Sequence, residues 1–255
     1  MENAFGQPQN VVVLGGSSDI ARAITKKLCA ARAHTLVLAG RSQVLLDEAA
    51  REALDYGASK TDTVVFDAED VSSARGAVAS AFDKAGDHVD LVVMAIGLLG
   101  HQVRDQSDVA ATTRMMNVNF TWPVAALTEV RNRLVAQGSG RVLVMSSVGA
   151  VRVRSSAYLY GGAKAGLDRL CQGMADSLAG TGVSLQLVRS GAVRTRMTEG
   201  LAEVPFTAGV NEVADTVIKG LSSGEPVIWS PPILKYVYAI LRHLPGPAWR
   251  KVMDR

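Results

Sequence analysis

The sequence predicts a single α/β domain, in which one doubly wound parallel sheet of about seven strands carries helices on both faces. Short apolar runs such as residues 11–14 (VVVL) and 91–94 (LVVM) alternate with stretches of helical pattern. Continuous apolar runs are typical of strands buried on both faces of a parallel sheet. The chain has 255 residues, 48% hydrophobic and 20% charged, which is enough to bury one large core.

Composition excludes several classes of protein. A net charge of +3 is too small to indicate a nucleic-acid-binding protein. Cys29 and Cys171 lack the spacing of metal ligands, so we expect two buried free thiols in a reducing compartment and no metal site. The first ten residues lack a signal-peptide pattern, and no apolar run reaches the roughly 18 residues of a membrane-spanning helix. We therefore expect a cytoplasmic protein.

The first apolar run leads through a glycine turn, GGSSDIA, into a helical pattern. At such a turn, backbone N–H groups and the helix dipole can hold a pyrophosphate. The turn therefore predicts dinucleotide binding by Gly15, Ser17, Ser18, Asp19 and Ile20. The Asp19 carboxylate would lie near phosphates, so we expect it to point away from them or to cap the helix.

The second apolar run, residues 36–39, ends in Gly40 and Arg41. An acidic residue here would bind the adenosine ribose 2′-hydroxyl, whereas an arginine can accommodate a 2′-phosphate. Arg41 therefore favours NADP(H) over the alternative, NAD(H). A solvated turn arginine is the other interpretation.

Ser147, Tyr160 and Lys164 form a candidate catalytic group. Tyr160 and Lys164 are four residues apart, so on a helix they share one face, and the ammonium is expected to lower the pKa of the phenol. Ser147 ends the apolar strand at residues 141–147, and its hydroxyl can meet Tyr160 when the chain turns back. The alternative is an exposed helix face, because Tyr-x-x-x-Lys pairs are common.

The other elements complete the alternation. We predict helices over residues 115–138 and 157–179, a strand and turn over 183–193, and a mobile substrate lid over 196–210. A last helix over residues 211–223 and a strand over 226–230 close the sheet.

The glycine turn, Ser147, Tyr160 and Lys164, in this order, resemble the short-chain dehydrogenase/reductase family over residues 11–229. The resemblance implies a Rossmann dinucleotide-binding domain over residues 1–230, with a basic, apolar helix and tail over 231–255 in the same domain. It implies that Ser147 polarises a substrate ketone, that Tyr160 delivers a proton and that Lys164 also holds the nicotinamide ribose. Asn119 would complete the group, its amide binding a water that links Lys164 to solvent.

The resemblance also implies further cofactor contacts. Asp67 and Ala68 would hold the adenine, Gly97 the nicotinamide ribose, Gly191 would permit close backbone approach, and Val193 and Thr195 would meet the carboxamide. Five positions depart from the family pattern, and they leave open a dinucleotide-sensing protein without catalysis. These positions are Asp19, Ala21, Met94, Ala95 and Ser190.

Several stretches, among them AIGLLG, RTRMTEGL and the tail VIWSPPILKYVYAILRHLPGPAWRKV, resemble one actinobacterial branch of the family. That branch includes the reductase of decaprenylphospho-2-keto-erythro-pentose, which makes the arabinose donor for cell-wall arabinan, and its paralogues. The resemblance implies a lipid-linked sugar substrate, with another ketone as the alternative. It also implies NAD(H), in conflict with Arg41.

Arg152 and Arg154 lie two residues apart between Ser147 and Tyr160. In an extended segment their side chains share one side, where two guanidinium groups could bind a substrate phosphodiester. The alternative is a pair of solvated loop arginines.

The tail carries apolar residues at helical spacing between residues 232 and 244, namely Ile233, Leu234, Val237, Ile240, Leu241 and Leu244. This stripe would pack on the lid or a second subunit, or lie in a membrane interface through residues 232–251 at the inner face of the cell membrane. The family resemblance also implies a homodimer or homotetramer, formed by the helices that carry Asn119 and Tyr160.

Overall fold

The computed structural model describes residues 2–3 and 6–253. The extreme ends of the predicted ranges 1–230 and 231–255 therefore lie outside the described residues, as do residues 4 and 5. Among the described residues, seven strands form one parallel sheet in the order β3-β2-β1-β4-β5-β6-β7, which confirms the predicted fold class. The strands are β1 Asn10–Leu14, β2 Thr35–Gly40, β3 Lys60–Val65, β4 Leu91–Met94, β5 Gly140–Ser147, β6 Val183–Ser190 and β7 Val227–Ser230.

Helices cover both faces of the sheet. They are α1 Asp19–Ala30, α2 Gln43–Asp55, α3 Ser73–Ala85, α4 Gln102–Asp105, α5 Val109–Met116, α6 Trp122–Gln137, α7 Tyr158–Ser177, α8 Val210–Ser223, α9 Leu234–Leu241 and α10 Gly246–Met253.

Alternate residues of β1 enter two separate cores. Val12 and Leu14 belong to the core beneath α3, α6 and α7. Val11 and Val13 belong to the core beneath α1, α2 and α8. Because successive side chains of a strand point to opposite faces, a strand with two buried faces must be apolar throughout. This explains the continuous apolar runs of the sequence.

The order of the strands reverses between β1 and β4, which are neighbours in the sheet. In a doubly wound sheet the ligand crevice lies at this reversal, outside the carboxyl ends of the strands. The ends of β1, β4, β5 and β6 therefore border one site.

The helix predicted over residues 115–138 is present, but it begins earlier and contains a π-helical turn. Helix α5 ends at Met116, a π-helical turn spans Asn117–Thr121, and α6 begins at Trp122. Pro123 lacks an N–H, so it cannot donate to the Asn119 carbonyl four residues earlier and cannot continue a regular α-helix. The wider turn places Asn119 inside the protein.

The C-terminal stripe divides between two faces of α9. Leu234 and Tyr238 are buried against Val148, and Val237 and Trp229 pack on them. Ile233, Tyr236 and Ile240 are instead 46, 66 and 70% exposed. The prediction of one continuous apolar stripe is therefore wrong, because Leu234 packs against β7 and Val148 whereas Ile233 and Ile240 stay exposed. Among the described residues, no helix has the length and apolar character needed to cross a bilayer.

Candidate active site

Ser147 and Tyr160 meet at the carboxyl end of β5. Ser147 is the last residue of β5, and α7 begins at Tyr158, so Tyr160 lies in the first turn of that helix. Their side chains lie close enough for the Ser147 hydroxyl to act on the pKa of Tyr160. The structure thus brings together the two hydroxyl groups that the sequence predicts to act on one substrate oxygen.

Lys164 lies one turn further along α7 and is buried. Its Nζ donates hydrogen bonds to the carbonyl oxygens of Ile96, at 3.1 Å, and Met145, at 3.2 Å. These carbonyls belong to the ends of two neighbouring strands, so the amine is fixed at the crevice. Burial lowers the pKa of Lys164 to about 8 because the charged ammonium is poorly solvated there.

The pKa of Tyr160 is raised, and the predicted lowering by Lys164 is wrong for this structure. Burial of the phenol raises the pKa, and the Ser147 hydroxyl opposes this effect only in part. The same burial disfavours the ammonium of Lys164, and its Nζ points at two carbonyls. The phenol is therefore held in its protonated form, which is the form that donates a proton.

Asn119 is fully buried, and its amide is occupied by backbone groups. Its Oδ1 accepts from the Leu98 N–H at 3.0 Å, and its Nδ2 donates to the carbonyls of Leu98, at 2.8 Å, and Met115, at 3.1 Å. The amide fixes the loop after β4, and its predicted role in holding a relay water stays a prediction. A buried amide must satisfy its polar atoms, and the backbone of Leu98 does so.

Gly15 and Gly16 shape the turn between β1 and α1. Gly15 has φ +94°, and a Cβ there would lie 2.6 Å from the carbonyl oxygen of Ala95. A Cβ on Gly16 would lie 2.8 Å from the Cβ of Leu38. Ser18 caps α1, its Oγ accepting from the Ala21 N–H at 3.1 Å. Both glycines thus permit the tight turn that a dinucleotide pyrophosphate requires at a helix start.

Asp19 does not cap α1, because Ser18 is the capping residue, and the Asp19 side chain has a protein partner. Its carboxylate forms an ion pair with Arg196, Oδ1 lying 2.7 Å from Nη2. Partial burial would raise the pKa of Asp19, but hydrogen bonds from Arg196 lower it. The carboxylate is therefore ionised, and Arg196 is a partner that the local sequence pattern did not indicate.

Arg41 follows β2, as predicted, and its side chain is 71% exposed. Its Nη1 lies 3.9 Å from Oε1 of Glu69, which also accepts a hydrogen bond from Arg114 at 2.6 Å. Ala68 is buried, whereas Asp67 is exposed and its Oδ1 accepts from the Glu69 N–H.

Gly191 approaches protein atoms closely. A Cβ on Gly191 would lie 2.7 Å from Cδ1 of Leu234, so this glycine lets α9 pack against the end of β6. Val193 is buried and pairs with Ala208, near the C-terminal end of the lid, in a short parallel bridge. The Thr195 N–H donates to Oγ1 of Thr198.

Gly97 lies against the buried side chains of Asn119 and Lys164. A Cβ on Gly97 would lie 3.3 Å from Oδ1 of Asn119 and 3.6 Å from Nζ of Lys164.

Arg152 contacts the C-terminal end of α9. Its Nη1 donates to the carbonyls of Leu241, at 3.0 Å, and Leu244, and its guanidinium lies over the ring of Trp249. Such contacts satisfy carbonyls that a helix end leaves unpaired. Arg154 lies near Tyr238 of α9, where its charge acts to lower the pKa of that phenol against the effect of burial. Both arginines thus face α9, and their predicted role with a substrate phosphate stays a prediction.

The buried Asp168 forms an ion pair with the partly buried Arg189 beside these residues. Arg189 donates to Asp168 from Nη2 at 2.7 Å and from Nε at 3.0 Å. Sequence reasoning missed this pair. The available signal was the position of Asp168 one helical turn after Lys164, on the same face of α7.

Known proteins resemble this chain along most of its length. A family model for short chain dehydrogenases matches residues 9–204. An uncharacterized oxidoreductase of Mycobacterium tuberculosis strain H37Rv is 36% identical over 242 residues, covering 95% of this chain and 96% of the relative. An uncharacterized oxidoreductase of Streptomyces coelicolor is 38% identical over 253 residues, covering 99% of each chain.

Solved structures share the fold at low sequence identity. A short chain dehydrogenase from Burkholderia cenocepacia J2315, in complex with NADP, has a TM-score of 0.79 at 19% identity and covers 95% of this chain and 96% of its own. A short chain dehydrogenase/reductase from Burkholderia phymatum, in complex with NAD, has a TM-score of 0.78 at 17% identity and covers 92 and 93%.

Proposed function

Because the chain belongs to the short-chain dehydrogenase family and is an NAD(P)-dependent oxidoreductase, we propose that it reduces a ketone to a secondary alcohol. The observation that carries this proposal is the meeting of Ser147, at the end of β5, with Tyr160, in the first turn of α7, beside the buried Lys164. The glycine turn at Gly15 and the ribose contact at Lys164 would hold the cofactor. When bound, the reduced nicotinamide supplies the hydride to the carbonyl carbon.

In this proposal Ser147 donates a hydrogen bond to the carbonyl oxygen and Tyr160 transfers its proton to the same oxygen. The raised pKa of Tyr160 supports this direction, since the phenol carries its proton at neutral pH. Lys164, with a pKa of about 8, exchanges protons readily near neutrality and can restore the proton to the phenol.

Replacement of Tyr160 by phenylalanine tests the proposal. General acid catalysis contributes about 10²–10⁴-fold, so Tyr160→Phe should lower kcat for a ketone by about that factor. Tyr158→Phe is the matched control, because Tyr158 is an exposed tyrosine on the same helix. The measurement is loss of reduced-nicotinamide absorbance with a panel of ketones. Normal turnover by Tyr160→Phe would refute the proposal, and cofactor binding without turnover of any ketone by the wild type would favour a sensing protein.

We further propose that the substrate is a polyprenyl-phosphate-linked 2-keto-pentose and that the product serves as the arabinose donor for cell-wall arabinan. The support is the sequence resemblance of the lid and tail, together with four exposed apolar side chains on the lid. These are Met197, Leu201, Val204 and Phe206. Arg154 is the better candidate for the phosphate, since Arg152 binds carbonyls of the tail. A kcat/KM for a water-soluble 2-keto-pentose phosphate equal to that for the lipid-linked compound would refute the lipid requirement.

NADP(H) is the proposed cofactor, and NAD(H) is the alternative. The exposed guanidinium of Arg41 after β2 supports NADP(H).

We also propose a homodimer or homotetramer formed through α6 and α7, whose partly buried side chains include Val124 and Met174. Sedimentation that finds only a 26.9 kDa species at micromolar concentration would refute the oligomer.

A further inference from the structure

The lid is joined to the glycine turn by one side chain. The backbone N–H of Arg196 donates to Oδ2 of Asp19 at 2.7 Å, and its Nε donates to Oδ1 at 2.7 Å. Its Nη2 donates to the carbonyl oxygen of Ser17, also at 2.7 Å. Arg196 begins the short helical turn at the start of the lid. The first turn of the lid is therefore attached to the first turn of α1.

The charge at this contact is unusual for a phosphate site. Asp19 lies in the first turn of α1, and its lowered pKa means that it carries a negative charge. A lone carboxylate at this point would repel a pyrophosphate bound at the helix start. The guanidinium of Arg196 neutralises the Asp19 carboxylate and itself lies against the glycine turn.

The guanidinium retains donors for a further partner. The hydrogen bonds to Asp19 and Ser17 use Nε and Nη2. Among the described residues, no acceptor is hydrogen-bonded to Nη1, and the side chain is 51% exposed. A guanidinium has five N–H donors in a fixed plane and binds phosphate oxygens with good geometry.

We propose that Arg196 is a binding residue for the pyrophosphate of the dinucleotide and that Asp19 is its positioning residue. Asp19 holds the guanidinium at the glycine turn, and Nη1 donates to a phosphate oxygen. Asp19, which replaces a small residue of the usual glycine pattern, thereby recruits a cation from the lid. Cofactor binding and ordering of the lid are coupled through this one side chain. The inference rests on the dinucleotide site alone and is independent of the ketone proposed above.

Equilibrium binding of NADPH to the intact protein, followed by its fluorescence, tests the inference. Hydrogen bonds to charged groups are worth enough for Arg196→Ala to raise the Kd by about 10- to 100-fold. Arg194→Ala is the matched control, because Arg194 lies two residues before Arg196 and pairs with Glu203 of the lid at 2.6 Å. Its Kd should stay within about twofold of wild type.

Two further measurements separate binding of the phosphate from a structural latch. Adenosine 2′-monophosphate has no pyrophosphate, so its Kd should be equal for wild type and Arg196→Ala. The double variant Asp19→Ala with Arg196→Ala should bind NADPH more tightly than Arg196→Ala, because the unpaired carboxylate is gone. Equal losses with Arg194→Ala and Arg196→Ala, or an equal loss for both ligands in Arg196→Ala, would overturn the proposal. Neither measurement needs a substrate, so a failed reductase assay leaves this result interpretable.

Discussion

Ser146 and Asp168 join the strand that ends in Ser147 to the helix that carries Tyr160. The Oγ of Ser146 donates to Oδ2 of Asp168 at 2.6 Å, and both residues are buried. Asp168 lies one turn after Lys164 on α7, and it also accepts two hydrogen bonds from Arg189 of β6. One carboxylate thus fixes β5, β6 and α7 relative to each other beneath the candidate active site.

Asp168→Asn should destabilise the fold strongly. The substitution keeps the shape of the side chain but leaves the partly buried cation of Arg189 without a counter-charge. Breaking a buried ion pair from one side costs about 3–5 kcal/mol. Urea denaturation measures the free energy of unfolding. The control is Asp176→Asn, at an exposed position of the same helix, which should change it by less than about 0.5 kcal/mol. Equal effects of the two substitutions would contradict the prediction.

The contribution of Asp168 should disappear in acid. Burial alone would raise the pKa of Asp168, but hydrogen bonds and charge from Arg189, with Ser146, lower it below its ordinary value of 3.8. A carboxylate with a lowered folded-state pKa stabilises the fold fully above that ordinary value, and the stabilisation is lost as the pH falls through the folded-state pKa. The stability difference between wild type and Asp168→Asn should therefore be constant above about pH 5 and shrink below pH 4. A difference independent of pH would disprove this.

Burial of Lys164 should make the free energy of unfolding increase with pH between about 8 and 10. Its pKa is about 8 in the folded protein and 10.5 ordinarily, so between these values the unfolded chain binds one more proton. Stability rises with pH wherever the unfolded state binds more protons, here by about 1.4 kcal/mol per pH unit. Relative to Lys164→Met, the wild type should gain stability from pH 8 to 10. Lys219→Met, at an exposed position, is the control and should follow the wild type. Parallel curves for wild type and Lys164→Met would exclude the shift.

Arg41→Ala should change the choice of cofactor. If Arg41 binds a 2′-phosphate, its loss should raise the KM for NADPH by about 10- to 100-fold and leave the KM for NADH within about twofold. Arg51→Ala removes an equal charge from the exposed face of α2 and should alter neither constant. Equal effects of Arg41→Ala on both cofactors would remove its role in selection.

The exposed face of α9 should bind anionic membranes. Ile233, Tyr236 and Ile240 project into solvent, and Lys235 and Arg242 are exposed beside them. An interfacial helix of this kind requires both apolar burial and attraction to anionic headgroups. The intact protein should co-sediment with vesicles that contain anionic lipid and less with neutral ones. Replacing the three apolar residues by serine should abolish binding.

The control for α9 is serine at Val44, Leu54 and Val65, which are exposed apolar positions of α2 and β3. These substitutions should leave co-sedimentation unchanged. Intact protein that stays in the supernatant with both kinds of vesicle would rule out the membrane contact.

Local patterns in the sequence were enough to predict the sheet. Most strands contain a short apolar run and most helices a periodic stretch, so both are encoded within a few residues. The exception is β3, which is apolar only at its last two residues. The sequence alone also places Tyr160 and Lys164 on one helix face and Ser147 at a strand end. The π-helical turn at Asn117–Thr121 was readable in principle, because Pro123 has no N–H to donate to the Asn119 carbonyl.

Tertiary structure decided the partners and the electrostatics. Asp19 meets Arg196 across 177 residues of chain, and Ser146 meets Asp168 across 22, contacts that no local periodicity encodes. The split of the apolar stripe on α9 depends on which side the sheet covers. The raised pKa of Tyr160 depends on how deeply folding buries it. Sequence by itself determined which residues share an element, since that is a property of neighbours along the chain. Folding determined which elements pack together and which side chains they exclude from water. The pKa of an ionisable group depends on that burial, because a charge is less stable away from water.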